Sequence, residues 1–116
     1  MSDLVIDTQK LSGNIIMLTL KGQLNHDTAP ELKALFRKFF DYEGIYRFMI
    51  DSSGLTYISS FGIGAFIEAL AVCRENFGEI VFLSIPPKIK ENFDVFGLTR
   101  YAAIYQDKDT ALKALR

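Results

Sequence analysis

The chain has 116 residues and a mass of 13.1 kDa, room for a single domain over residues 1–116 and too little for a second. Hydrophobic residues make up 49% and charged residues 23%, a globular balance that excludes both a disordered tail and a highly charged coiled coil. Thirteen basic against fourteen acidic residues leave a net charge of −1, without the cationic surplus that direct nucleic-acid binding needs, and a single cysteine excludes a disulfide framework and a cysteine-rich zinc site.

Leu4 to Gln9 and Ile15 to Lys21 read as strands. Ile16, Leu18 and Leu20 alternate with Ile15, Met17 and Thr19, and Ser12-Gly13-Asn14 supplies the turn of a hairpin. Thr28-Ala29-Pro30-Glu31 has the form of a capping box, with Pro30 in a first turn where its missing N–H costs nothing. The stripe Leu32, Leu35, Phe36, Phe39 then predicts a first helix, with Gly44 shortly beyond its end.

Tyr46 to Ile50 predicts a short buried strand ending at Asp51, followed by a polar loop at Ser52-Ser53-Gly54 and on from Thr56 to Ser60. A second helix is expected from about Phe61 to Phe77, with Ile63, Phe66, Ile67, Leu70, Cys73 and Phe77 on one face and Gly78 as its left-handed terminator. Ile80 to Leu83 is the next strand. Pro86 and Pro87 open a third helix carrying Ile89, Phe93 and Phe96, closed by Gly97. Tyr101 to Tyr105 reads as a last strand, and Asp107 to Leu115 as a terminal helix with Ala111, Leu112 and Leu115 inward. The order β-β-α-β-α-β-α-β-α predicts an α/β fold: a mixed sheet with an antiparallel N-terminal hairpin and later parallel strands, packed by about four helices.

The longest uncharged stretch, Ser52 to Ile67, is 16 residues and is interrupted by Ser, Thr and Gly, whereas a membrane span wants roughly 18 or more mostly apolar residues. The N-terminus has an acid at Asp3 and no basic region before a long apolar block, unlike a signal peptide. A cytoplasmic protein without a membrane span is the expectation.

Enzymatic constellations are scarce. His26 is the sole histidine and no G-x-S-x-G elbow is present, so a hydrolase triad has nothing to build on; a solvated loop histidine is the simpler reading. One His and one Cys give no metal-ligand spacing, and no cofactor is expected. Gly62-Ile63-Gly64 lacks the third glycine of a dinucleotide fingerprint, Ile67 standing there, and close helix packing explains the pair better. Cys73, on the apolar stripe, reads as a small buried hydrophobe, and the ten Phe and five Tyr fall mostly at core periodicity with no basic groove beside them.

The segment from Asp51 to Ile67 carries more. A strand ending in Asp, a short loop, then Ser60-Phe61-Gly62-Ile63-Gly64 opening a helix resembles the signature of STAS domains, most closely of bacterial anti-sigma factor antagonists. Gly22 to Leu32 is similar to a second segment of that family, and Phe93 to Leu98 to a third, so the resemblance covers nearly the whole chain, Leu4 to Leu115. It implies a non-enzymatic regulator whose partner is at once an anti-sigma factor and a serine kinase, with a phosphatase to reverse the mark. The implied phosphate acceptor is Ser60. Ser59 stands where the family commonly has Asp, and Asn25 where it commonly has another, so two acids are neutral here and Ser59 is a rival acceptor. A STAS scaffold or small-ligand-binding module that is never phosphorylated is the alternative.

The expected docking surface joins the loop Leu55 to Phe61, the turn Asn25-His26-Asp27-Thr28, and an exposed face of the second helix with Glu68, Arg74 and Glu75. Tyr57 and Phe61 are its candidate anchors, with Ser59 and Gly62 between them and the helix. Phosphate at Ser60 would be tolerated by a helix N-terminus and would act on the partner, by bulk and by charge.

Overall fold

The computed structural model describes residues 3–116. Strands β1 (Leu4–Leu11) and β2 (Ile15–Leu24) form the antiparallel hairpin, in unbroken register from Leu4 opposite Gly22 to Leu11 opposite Ile15. Helix α1 (Ala29–Lys38) runs on into a π-helical turn, Phe39–Glu43, which Gly44 ends. Strand β3 (Arg47–Ile58), helix α2 (Ser60–Glu75), β4 (Glu79–Leu83), α3 (Pro87–Val95), a 3-10 turn at Leu98–Arg100, β5 (Ile104–Tyr105) and α4 (Lys108–Leu115) follow. The five strands lie in sequence order, antiparallel between β1 and β2 and parallel thereafter, the mixed α/β sheet that the element order predicts.

Alternation along the strands divides the interior in two. Ile16, Leu18, Leu20, Phe48, Ile50, Ile80 and Phe82 face α1, α2 and α3. Ile15, Met49, Val81 and Leu83 face the other way, where α4 covers them with Ala111 and Leu115. The larger core is aromatic: Phe66 of α2 meets Phe82 edge-on at 5.0 Å, Phe82 meets Phe93 at 5.0 Å, and Phe36 meets Phe48 at 5.0 Å. Core packing, not base stacking, is what most of the phenylalanines do.

The structure corrects several expectations. The polar stretch Ser52-Ser53-Gly54 is not a loop. β2 runs on to Leu24, and β3 follows it through those residues with register shifts between Thr19 and Lys21 and between Gly22 and Gln23. Turn-like composition here marks a bulge inside a long strand. The last strand shrinks to Ile104 and Tyr105, because the N–H groups of Tyr101 and Ala102 turn back onto the Leu98 carbonyl.

Helix α2 begins one residue early and ends at Glu75, and only part of its expected face is buried. Ile63, Phe66, Leu70 and Cys73 are inside, whereas Ile67 is exposed; Phe96, beyond α3, is exposed as well. Phe77 is 92% exposed and itself adopts the left-handed conformation (φ 62°) assigned from sequence to Gly78. The N–H of Gly78 bonds the Cys73 carbonyl at 2.7 Å, so the chain closes the helix one residue sooner. Gly78 is required for a different reason: a Cβ there would lie 1.9 Å from the carbonyl oxygen of Tyr46.

Candidate functional site

The C-terminal ends of β2 and β3 converge with the N-terminal ends of α1 and α2. The Ser59 N–H bonds the Leu24 carbonyl at 2.9 Å, which ties the ends of β2 and β3 together just before each leads toward a helix. Thr56 Oγ1 donates to the Gly22 carbonyl at 3.1 Å and adds a second tie.

The turn before α1 is built by Asn25. Its Oδ1 accepts the backbone N–H groups of Asp27 at 3.0 Å and Thr28 at 3.1 Å, and its carbonyl accepts that of Ala29 at 2.8 Å. Thr28 makes no capping hydrogen bond to the helix, which corrects the capping-box reading. Its hydroxyl accepts from the Asn25 N–H at 2.9 Å and donates to the Gln23 carbonyl at 2.8 Å, so a buried Thr28 holds the turn from beneath. Asn25 instead holds the turn that leads into the helix, its amide oxygen accepting N–H groups two and three residues downstream, while the Thr28 carbonyl accepts those of Glu31 and Leu32.

At α2 the two neighbouring serines take different roles. Ser59, extended at φ −100°, is the N-cap: its Oγ accepts the Phe61 N–H at 3.2 Å. Ser60 is the first helical residue, and it is exposed, with its side chain outside the capping pattern. The two neighbouring hydroxyls are therefore inequivalent, one half-buried and engaged, the other held out to solvent.

Around Ser60 the side chains named from sequence separate into builders and presenters. Tyr57 and Phe61 are 48% and 62% exposed, so both rings point outward. The His26 ring lies 6.1 Å from that of Phe61, with its Nε2 3.3 Å from Asp27 Oδ1, so the Asn25–Thr28 turn and the α2 N-terminus form one surface. Gly62, by contrast, is buried: a Cβ would sit 2.7 Å from Leu24 Cγ and 2.8 Å from Ile58 Cγ1. Close helix packing accounts for Gly62. It does not account for Gly64, which faces open space.

The expected face of α2 does not hold together. Glu68 turns toward α1, 3.4 Å from Lys33 Nζ, and Glu75, seven residues on, shares that side. Arg74 points elsewhere, pairing with Glu79 at 3.2 Å and donating to the Tyr101 carbonyl. Sequence reasoning also missed Asn92. Its Nδ2 reaches the Ile58 carbonyl at 3.2 Å and ties α3 to the end of β3; an asparagine near the middle of a short helix was the only signal available.

Burial, and then the nearby Glu79 carboxylate, pushes the Cys73 thiol up to about 12, so it stays protonated and unreactive at neutral pH. Among the described residues no three His, Cys, Asp or Glu side chains gather as metal ligands, and no helix is long and apolar enough to cross a membrane.

Known proteins share this fold. The family model described as STAS domain matches residues 6–111. BtrV of Bordetella bronchiseptica is 27% identical over 107 residues, 92% of this chain and 90% of that one. The anti-sigma-B factor antagonist of Listeria monocytogenes is 26% identical over 94 residues, 81% of this chain and 82% of that one. Among solved structures, the anti-sigma factor antagonist SpoIIAA in its unphosphorylated form superposes with a TM-score of 0.75 at 14% identity, over 95% of this chain and 96% of that one. The phosphorylated form from Bacillus superposes with a TM-score of 0.76 at 15% identity, over 97% of this chain and all of the other.

Proposed function

The chain belongs to the STAS domain family, and we propose that it acts there as an anti-sigma factor antagonist: a non-enzymatic regulator that docks on an anti-sigma factor and is switched off by phosphorylation of Ser60. The observation that carries this reading is the exposed Ser60 hydroxyl at the first turn of α2, on a surface where Tyr57, Phe61 and His26 also face solvent. Relatives named as antagonists of anti-sigma factors support it.

The physics follows from position. A phosphate adds a charge of roughly −1.5 to −2 at neutral pH. At the start of α2 it meets outward N–H groups and the positive end of the helix dipole, so the modified domain stays folded. A partner whose surface fits a neutral hydroxyl on this aromatic surface meets bulk and a desolvated charge instead. Each 1.4 kcal/mol lost at such an interface is about tenfold in affinity. Ser60 is preferred over Ser59 because the Ser59 hydroxyl is half-buried and already accepts the Phe61 N–H. Asn25 leaves the surface one negative charge poorer than an aspartate would, while keeping the acceptor that the turn needs.

Intact-mass analysis and site mapping of the protein isolated from its native cells test the reading. One added phosphate on Ser60 is expected, with Ser60→Asp keeping the melting temperature while abolishing capture of the kinase partner. Phosphate confined to Ser59, or Ser60→Asp binding as well as the unmodified protein, overturns it.

A further inference from the structure

The sheet has two very different edges. β5 is two residues long, whereas β1 is an eight-residue strand with only β2 beside it. From Val5 to Leu11 the outward row of backbone N–H and C=O groups has no strand partner among the described residues. Natural proteins blunt such an edge with proline, a bulge or outward lysine. β1 has no proline, its register with β2 is unbroken, and its one lysine, Lys10, is drawn back to Glu43 at 2.6 Å. Val5 on this strand is 53% exposed although it is β-branched and apolar.

We propose that β1 pairs antiparallel with β1 of a second copy of this chain, about a two-fold axis at Thr8, to give a continuous ten-stranded sheet. The register follows from side-chain parity. A two-fold axis normal to the sheet keeps its faces, so residues opposite each other must share a face, and their numbers must sum to an even value. Two registers give the longest overlap. One centres on Asp7 and sets two like charges directly opposite each other, which is unfavourable. The other centres on Thr8. It sets Thr8 against Thr8, Asp7 against Gln9, Ile6 against Lys10, and Val5 against Leu11, the last three pairs occurring twice. Every one of these contacts is compatible, and the Val5–Leu11 pairs cover the exposed valine. The edge is separated from Ser60 by β2, so the pairing is independent of the switch proposed above.

Light scattering on the full chain over a rising concentration series should show a dimer. Thr8→Cys under mild oxidation should form a covalent dimer, because directly opposed strand residues have Cα separations of about 4.5–5.5 Å, within disulfide reach. Asp7→Cys, which faces Gln9 in this register, should remain largely uncrosslinked, and the unmodified chain controls for Cys73. Thr8→Glu, at an exposed position, should weaken self-association about tenfold or more while leaving the circular dichroism and melting temperature unchanged. A monomer at every concentration, crosslinking through Asp7→Cys in place of Thr8→Cys, or self-association unaffected by Thr8→Glu overturns the proposal.

Discussion

Single hydrogen-bonding atoms set the geometry of the candidate site. The Oδ1 of Asn25 satisfies two backbone N–H groups of the turn that carries His26 and Asp27. Removing it leaves those donors to water or to strain, so Asn25→Ala should cost about 1 kcal/mol in urea unfolding, within the range for lost caps. Asn25→Asp keeps the acceptor and should retain stability to within about 0.5 kcal/mol, since exposed charge changes are worth little. If both variants destabilise equally, the oxygen is not what holds the turn. The sequence read Thr28 as a helix cap, and the structure gives its hydroxyl to the turn instead. What decides this is the position of the Gln23 carbonyl, which claims the Thr28 hydroxyl.

At the scale of an element, α2 shows how neighbours override local preference. The Phe77-Gly78 pair has the glycine one position past where a Schellman turn would use it, so a bulky residue takes the left-handed conformation. The contact between Gly78 and Tyr46 forces this order. Phe77→Gly should therefore stabilise the protein by roughly 0.5–1 kcal/mol, because it relieves backbone strain and gives up no buried surface. Gly78→Ala should do the opposite and cost more than 2 kcal/mol, as a methyl group cannot share space with a backbone carbonyl. Thermal melts of the two variants check both signs, and a stable Gly78→Ala would remove the steric argument. The same lesson applies to Ser52-Ser53-Gly54. Its composition fits a loop or a bulge equally well, and only the continued pairing of β2 decides between them.

For the molecule as a whole, the two cores carry unequal weight. Phe66 alone touches Phe36, Phe82 and Phe93, so it links α1, β4 and α3 through α2. Phe66→Ala should cost about 3–5 kcal/mol, a large part of the 5–15 kcal/mol that holds a typical domain together. Leu115 lies in the smaller core between α4 and the sheet, where far fewer buried side chains surround it than surround Phe66. Leu115→Ala should cost about 2 kcal/mol, near the lower end for such truncations. Equilibrium denaturation of both variants gives the ranking, and equal losses would mean that the two cores unfold as one equally weighted unit.

Strand and helix order, the hairpin, the two alternating faces of β2 and the helix start that presents Ser60 were legible in the sequence, because periodicity and turn chemistry are local. Three residue patterns, taken together, were enough to point to the family. What needed the three-dimensional structure was everything that local preference leaves open: the bulge in β3, the part Asn25 plays in its turn, the burial of Thr28 and Gly62, the exposure of Phe77, and the division of labour between Ser59 and Ser60. Local propensity leaves such choices nearly degenerate, and a single contact, with the Gln23 carbonyl five residues back or with the Tyr46 backbone on another strand, is enough to break the tie.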